Sequence, residues 1–234
     1  MEAKHISFCT TCKGRLWQLR QTIEHNLALL DNASDIVLLD YQSPDGLEDY
    51  ILTKFDYQLQ TGKLKYFKMV DDYAYTCSYA KNVVHRLSTG DILFNLDGDN
   101  YLHPDLFLEL RNLKENEWLI PKCSSMLDGS YGRIGYHRQT FFDICGYDET
   151  LVGMLADDGV LNNTLIKKGF RWVSSKVDST PIQNTREQKD LYVNDGNLIL
   201  NYPNKSPPVN YPFDWGIAKV TDVNGNIINT RYLK

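Results

Sequence analysis

Along the first hundred residues the apolar positions follow two periods that alternate. Residues 6–10, with Ile6, Phe8 and Cys9 among them, predict a short buried strand. From Leu16 onward, Leu16, Leu19, Ile23, Leu27 and Leu30 recur at steps of three and four, the signature of a helix with one face on a core. Residues 36–39 are an aliphatic run ending in Asp40, as in a strand covered on both faces. After the turn Ser43-Pro44-Asp45-Gly46, helical spacing returns at Leu47, Tyr50, Ile51 and Phe55. Residues 64–69 predict a weaker strand, and Tyr79, Ala80, Val83, Val84 and Leu87 a third helix. Thr89-Gly90 stops that helix and leads into a fourth strand over 92–96, closing on Asp97. Strand and helix alternating in this way predict an α/β protein whose mostly parallel sheet is joined by right-handed crossovers.

The second half is less regular. Residues 104–113 have helical spacing, 118–121 are extended, and 128–135 form a glycine-bearing loop. Helices are predicted over 140–145 and 160–168, each closed by a glycine just past its end, Gly146 and Gly169. Residues 170–174 read as a strand. From Pro203 on, prolines predict an extended wrap, and Asn224-Gly225 between two alternating segments predicts a hairpin. The chain therefore divides into one domain over 1–202, in two halves at 1–102 and 103–202, and an extension over 203–234.

With 234 residues the chain can bury a core without metal or disulfide staples. Twenty-five basic against thirty acidic residues leave a net charge of −5, the wrong sign for a general nucleic-acid binder. No basic segment followed by an apolar stretch opens the chain, and no apolar run is long enough for a bilayer. With an odd number of cysteines, five, this leads to the expectation of a cytoplasmic protein.

The sharpest chemical feature is Asn95-Leu96-Asp97-Gly98-Asp99-Asn100 at the end of the fourth strand. Ligands of open α/β sheets bind beyond the carboxyl ends of strands. With flexible Gly98 between them, Asp97 and Asp99 can reach one point. Two carboxylates with no imidazole or thiolate beside them suit a hard ion, Mg2+ or Mn2+, completed by phosphate and water. The alternative reading is a solvated acidic turn.

Several segments fall in order around this motif: Ile6 to Thr11, Leu38 to Gly46, Ala80-Lys81-Asn82, and Thr89 to Asp99. Downstream come Gly146-Tyr147-Asp148-Glu149, Asp157-Asp158 and Lys168-Gly169-Phe170. Together, over about residues 5–175, they resemble the GT-A fold glycosyltransferases, in particular the family 2 type. The resemblance implies a nucleotide-sugar-binding half over 1–102 and an acceptor-binding half over 103–202. It also implies inverting transfer of a hexose or N-acetylhexosamine from a UDP-sugar to a hydroxyl of a glycan or glycolipid, as in polysaccharide biosynthesis. A lipid-linked acceptor would bring the protein to the inner face of the membrane as a peripheral contact.

Residue by residue, the resemblance makes Asp97 and Asp99 the metal-binding pair, with Asp99 on the ion and Asp97 also near the ribose or sugar. Thr10 and Thr11 match the loop that holds the nucleotide, and Gly98 and Arg15 join the donor-binding set. Asp40 and Tyr41 match an acidic pair that reads uracil, but Tyr41 replaces the second carboxylate and offers a ring to stack on the base. Lys81 takes the place of a basic residue that supports the donor. Asp157 and Asp158 match the pair beside the acceptor. Inverting transfer needs a base for the attacking hydroxyl, and by position Asp158 is that base, with Asp157 bonding sugar hydroxyls. An acidic pair is also ordinary helix capping.

All five histidines (His5, His25, His85, His103, His137) precede the region where many relatives supply a further metal ligand. There Gln183 or Asn184 offers only a neutral oxygen, so the ion is expected to be held mainly through the diphosphate. His103 reads as a helix-start residue. Cys9-Thr10-Thr11-Cys12 has redox-motif spacing but none of the usual neighbours, and no second cysteine pair completes a zinc site. Fifteen tyrosines and four tryptophans could supply sugar-stacking faces. Tyr131, Tyr136, Trp172, Tyr211 and Trp215 are candidates, with core packing the alternative. Three other functions fit parts of the pattern. Lys13-Gly14-Arg15-Leu16 resembles the loop of a sugar-1-phosphate nucleotidyltransferase without its glycines. A haloacid-dehalogenase phosphatase would need Thr or Val where Tyr101 stands. A non-catalytic sugar-nucleotide-binding module would have no reason to keep all four aspartates.

Overall fold

The computed structural model describes residues 3–122, 130–151, 157–178, 180–183, 185 and 210–233. The elements run β1 (Ile6–Cys12), α1 (Leu16–Ala28), β2 (Ser34–Asp40), α2 (Leu47–Lys54), α3 (Asp56–Gln60) and β3 (Leu64–Met69). Next come α4 (Cys77–Leu87), β4 (Ile92–Asn95), β5 (Asn100–Tyr101), α5 (Pro104–Arg111), β6 (Glu117–Lys122), β7 (Gly135–His137) and α6 (Arg138–Asp143). The chain closes with α7 (Asp157–Lys167), β8 (Arg171–Asp178), β9 (Thr180–Pro181), β10 (Lys219–Asp222) and β11 (Ile227–Asn229).

Nine strands form one sheet in the order β11-β10-β3-β2-β1-β4-β7-β6-β8. The block β3-β2-β1-β4 is parallel, as the alternating pattern predicts, while β7 runs antiparallel to both its neighbours. Because side chains alternate along a strand, β1 and β2 feed two cores. Ile6, Phe8, Ile36 and Leu38 pack under α1, α2 and α5 through Leu19, Ile23, Ile51 and Leu110. Cys9, Val37, Leu39 and Tyr41 pack under α4, α6 and α7 through Val83, Val84, Phe141, Leu161 and Leu165. Cys9 and Cys12 thus lie on opposite faces of the sheet. Burial pushes both thiols up to about 12, so the pair is neither a redox couple nor a metal half-site.

Four features differ from the sequence-based expectation. The fourth strand ends at Asn95, so Leu96 already belongs to the turn. The helix expected from Val160 begins at Asp157, which puts the acidic pair in its first turn. Gly135, expected as the end of the 128–135 loop, opens a strand over 135–137 between β4 and β6, where a Cβ on it would stand 2.4 Å from Leu110. The fourth is β5 and β9, which pair as a small separate sheet beside the Asp97–Asp99 turn. The Asn224-Gly225 hairpin forms as expected and adds β10 antiparallel to β3. The expected wrap from residue 203 falls outside the described residues up to 209. His103 caps α5 by accepting from Asp105 N at 3.2 Å.

Candidate active site

The strand order reverses between β1 and β4, with α1 and α4 on opposite faces, and there the carboxyl ends of the strands open a crevice. β1 delivers Thr10 and Thr11 to it, and the turn after β4 delivers Asp97, Gly98 and Asp99. Helix α1 grips that turn from one side. Thr22 Oγ1 donates to Gly98 O at 2.6 Å, and Asn26 donates to Asn100 O at 2.9 Å while accepting from Leu102 N at 2.8 Å. These two buried polar residues are missed by an apolar-periodicity reading. Their signal was present as polar positions four apart, each next to the apolar stripe.

From the other side, α4 brings Lys81. Its ammonium donates to Asp157 Oδ2 and to Asp158 Oδ1, both at 2.7 Å, and lies 5.0 Å from the centre of the Tyr147 ring. Burial alone would lower the Lys81 pKa, but Asp158 and Asp157 outweigh it and hold the lysine well above its ordinary value. Burial pushes the Asp158 carboxyl up to about 6, with Asp157 and Asp97 adding to the rise and Lys81 opposing it. Asp97 is likewise raised by burial and by Asp99, against the pull of Lys81 and Arg133. The two acidic motifs, sixty residues apart in the chain, therefore act on one lysine and on each other.

The floor below Lys81 is neutral and fixed. His85 is buried, with Nδ1 2.6 Å from Lys81 O and Nε2 2.9 Å from Tyr136 Oη. A carbonyl only accepts, so Nδ1 carries the proton and the Tyr136 hydroxyl donates to Nε2. Burial drives the imidazole pKa down to about 3, so this histidine stays uncharged.

The remaining sequence-derived residues are placed as follows. Thr10 is buried under the turn, its hydroxyl without a hydrogen-bond partner, and lines a cavity of about 10 Å³ with Asn26, Asp97 and Gly98. Thr11 points to the opposite face, its hydroxyl 3.4 Å from that of Tyr75. Arg15 stands half-buried just before α1. Asp40 is fully buried, accepting from Ser43 N at 2.6 Å and from the Tyr66 hydroxyl at 2.7 Å, and burial raises its pKa. The Tyr41 ring is fully buried among Tyr75 and Tyr79, its hydroxyl donating to Ala74 O, so in this arrangement it offers no face for stacking on a base. Lys13, named from the sequence only as part of a nucleotidyltransferase-like loop, is buried at the same corner and donates to Tyr41 O at 3.1 Å. Burial lowers its ammonium to about 8.

Of the stacking candidates, Tyr136 and Trp215 are core residues, Tyr131 and Tyr211 are half-buried, and Trp172 is exposed. Gln183 follows Ile182, whose N–H donates to Asp99 O at 2.7 Å, so it comes next to the turn; Asn184 lies outside the described residues. Among the described residues no three His, Cys, Asp or Glu side chains are grouped to hold an ion. Asp97 and Asp99 are hard oxygen donors and fit Mg2+ or Mn2+, with the other positions left to phosphate and water. Among the described residues no helix is long and apolar enough to cross a membrane.

No protein-family model matches the chain, and no curated protein matches it in sequence. Solved structures do match. The mannosyltransferase PcManGT from Pyrobaculum calidifontis, in complex with GDP-Man and Mn2+, superposes with a TM-score of 0.66 at 15% identity, over 91% of this chain and 68% of that one. S. aureus TarS 1-349, in complex with UDP-GlcNAc, gives 0.59 at 12% identity, over 81% of this chain and 62% of that one. GalNAc-T7 with UDP, GalNAc and Mn2+ gives 0.64 at 13% identity, over 79% and 45%. The fold is the GT-A fold, and the chain spans between about half and two thirds of the proteins it matches.

Proposed function

We propose that the chain is a metal-dependent inverting glycosyltransferase of the family 2 type. It moves a hexose or N-acetylhexosamine from a UDP-sugar to a hydroxyl of a glycan or glycolipid acceptor. The observation that carries this reading is the convergence of Asp157 and Asp158 on Lys81 at the crevice between β1 and β4, with Asp97 within electrostatic reach of the same ammonium. A structural turn would have no reason to bring two acidic motifs, sixty residues apart, to one lysine. Three solved structures of the same fold hold nucleotides or nucleotide sugars, two of them with Mn2+.

In this reading Asp99 and Asp97 hold the ion, which when bound neutralises charge growing on the departing diphosphate. Thr10, Thr11, Arg15, Asp40, Tyr41, Lys81 and Gly98 make up the donor side, where Tyr41 acts through its backbone and by packing. Asp158 takes the proton of the attacking hydroxyl, and its raised pKa suits a base working near neutrality. Asp157 bonds sugar hydroxyls. Residues 1–102 serve the donor and 103–202 the acceptor, and a lipid-linked acceptor would bring the chain to the inner face of a membrane.

The test is a panel of nucleotide sugars and acceptors with and without Mn2+. Acceptor-dependent, Mn2+-dependent release of UDP is expected; release of pyrophosphate marks a nucleotidyltransferase, and binding without turnover a non-catalytic module. Asp158→Asn is expected to abolish transfer and leave UDP-sugar binding largely intact. Near wild-type transfer by that variant removes Asp158 from the role.

A further inference from the structure

Gly132 lies in the loop before β7, and the space its side chain would fill holds the Asp158 carboxylate. A Cβ built on Gly132 would stand 2.5 Å from Asp158 Oδ2, 3.1 Å from Cγ and 3.3 Å from Oδ1, and these are its three nearest atoms. The glycine is not required by the backbone, because its φ lies outside the left-handed region where Gly146 and Gly169 sit. It is required by the carboxylate. The loop itself is pinned from below. Asn95 Nδ2 donates one hydrogen to Gly132 O at 2.8 Å and the other to Asp97 Oδ1 at 3.1 Å, and Asn95 N donates to Ile134 O at 3.0 Å. Asp158 is thus held between the Lys81 ammonium on Oδ1 and bare backbone against Oδ2.

We propose that Gly132 and Asn95 are positioning residues for transfer: Gly132 seats the Asp158 carboxylate, and Asn95 fixes that seat relative to Asp97. The proposal rests on the glycosyl-transfer reading with Asp158 as base. One side-chain amide then spans the two acidic motifs and sets the separation between the donor aspartates and the proton acceptor. A methyl group at position 132 meets anchored backbone on one side and the free end of a carboxylate on the other, so the carboxylate is what yields. Displacing a reacting group by about an ångström costs on the order of a hundredfold in rate.

Gly132→Ala is therefore expected to lower kcat by about 30- to 100-fold, with the KM for the UDP-sugar and the affinity for UDP with Mn2+ within twofold of wild type. A kcat within threefold of wild type overturns the proposal. So does a loss confined to donor KM. If Gly132→Ala fails to fold, Asn95→Ala, which frees the loop without adding bulk, is expected to lower kcat by a similar factor, with any weakening of the Mn2+ hold traced to the hydrogen bond lost at Asp97. A crystal structure of Gly132→Ala reads the seat without turnover. The Lys81–Asp158 contact is expected to break while Lys81–Asp157 survives, and an unmoved carboxylate overturns the proposal. A wild-type protein that releases no UDP from any donor would instead remove the transfer reading and leave the seat to be judged by that structure.

Discussion

Replacing Lys81 by methionine keeps the aliphatic stem and deletes one charge, and the structure sets how much should follow. The lysine side chain is 9% exposed, and its partners Asp157 and Asp158 are 3% and 19% exposed. Removing one partner from a buried ion pair leaves an uncompensated charge and typically costs about 3–5 kcal/mol. In a domain of this size that corresponds to a fall in Tm of roughly 6–20 °C. The loss should depend on pH, which separates charge from packing. Asp158 has a folded pKa raised to about 6, above its unfolded value of about 4. The folded state therefore binds more protons than the unfolded one between these values, and stability falls as pH rises through that window.

Deleting Lys81 removes the influence that opposes the rise, so in Lys81→Met the folded pKa climbs further and the window widens upward. Thermal melts at pH 5 and pH 8 should show a small difference from wild type at pH 5 and the full difference at pH 8. Adding Asp158→Asn should restore a large part of it, since one of the stranded carboxylates is gone. A loss of the same size at both pH values, or one below about 1 kcal/mol at pH 8, would refute Lys81 as the neutralising charge of the cluster.

Two further outcomes follow from the same charges. Asp99→Asn should raise the Mn2+ concentration for half-maximal transfer about tenfold or more while the fold survives, because Thr22 and Asn26 hold the backbone of the turn and an asparagine Oδ1 can still accept from Asn100; a titration unchanged from wild type removes Asp99 from the ion. The acid limb of kcat/KM should fall near pH 6, where Asp158 takes up a proton and ceases to accept one. Turnover flat down to pH 5 would assign the base elsewhere.

Most of the sheet was legible because its strands obey one constraint at a time. β1 and β2 are covered on both faces, so their runs are continuous, and α1 shows its core face at every third or fourth position. β7 was not legible for the opposite reason. Three residues long and opening on Gly135, it has too short a run to show a period, and the packing of Leu110 and Phe94 against it explains the glycine. At the site, the aspartates stood out because carboxylates after an apolar run are chemically conspicuous. The residues that arrange them did not. Asn95, Gly132, Thr22 and Asn26 act through amide, hydroxyl and missing side chain, and each is ordinary until its partner a long way along the chain is known. Asp40 and Tyr41 show a further limit: a motif can fix a position, yet the side chains there turn into the core, and Lys13 stands at that corner instead.

The charge balance of the crevice explains why this arrangement belongs to a ligand-binding fold rather than to a stabilising one. Two carboxylates, Asp157 and Asp158, bind one ammonium and a third, Asp97, acts on it at longer range; burial raises Asp97 and Asp158 above their ordinary pKa values. Such a set costs stability, since like charges withdrawn from water repel and lose hydration. A fold under no other demand would replace one of them at a gain. The deficit is of the sign and size that a divalent cation makes good, and a cation there would draw a diphosphate to a chain whose net charge of −5 would otherwise repel it. Lys81 then has a double position: it neutralises the Asp157–Asp158 pair directly and Asp97, of the Asp97–Asp99 pair, at longer range. Any change that moves its ammonium toward one pair weakens its hold on the other.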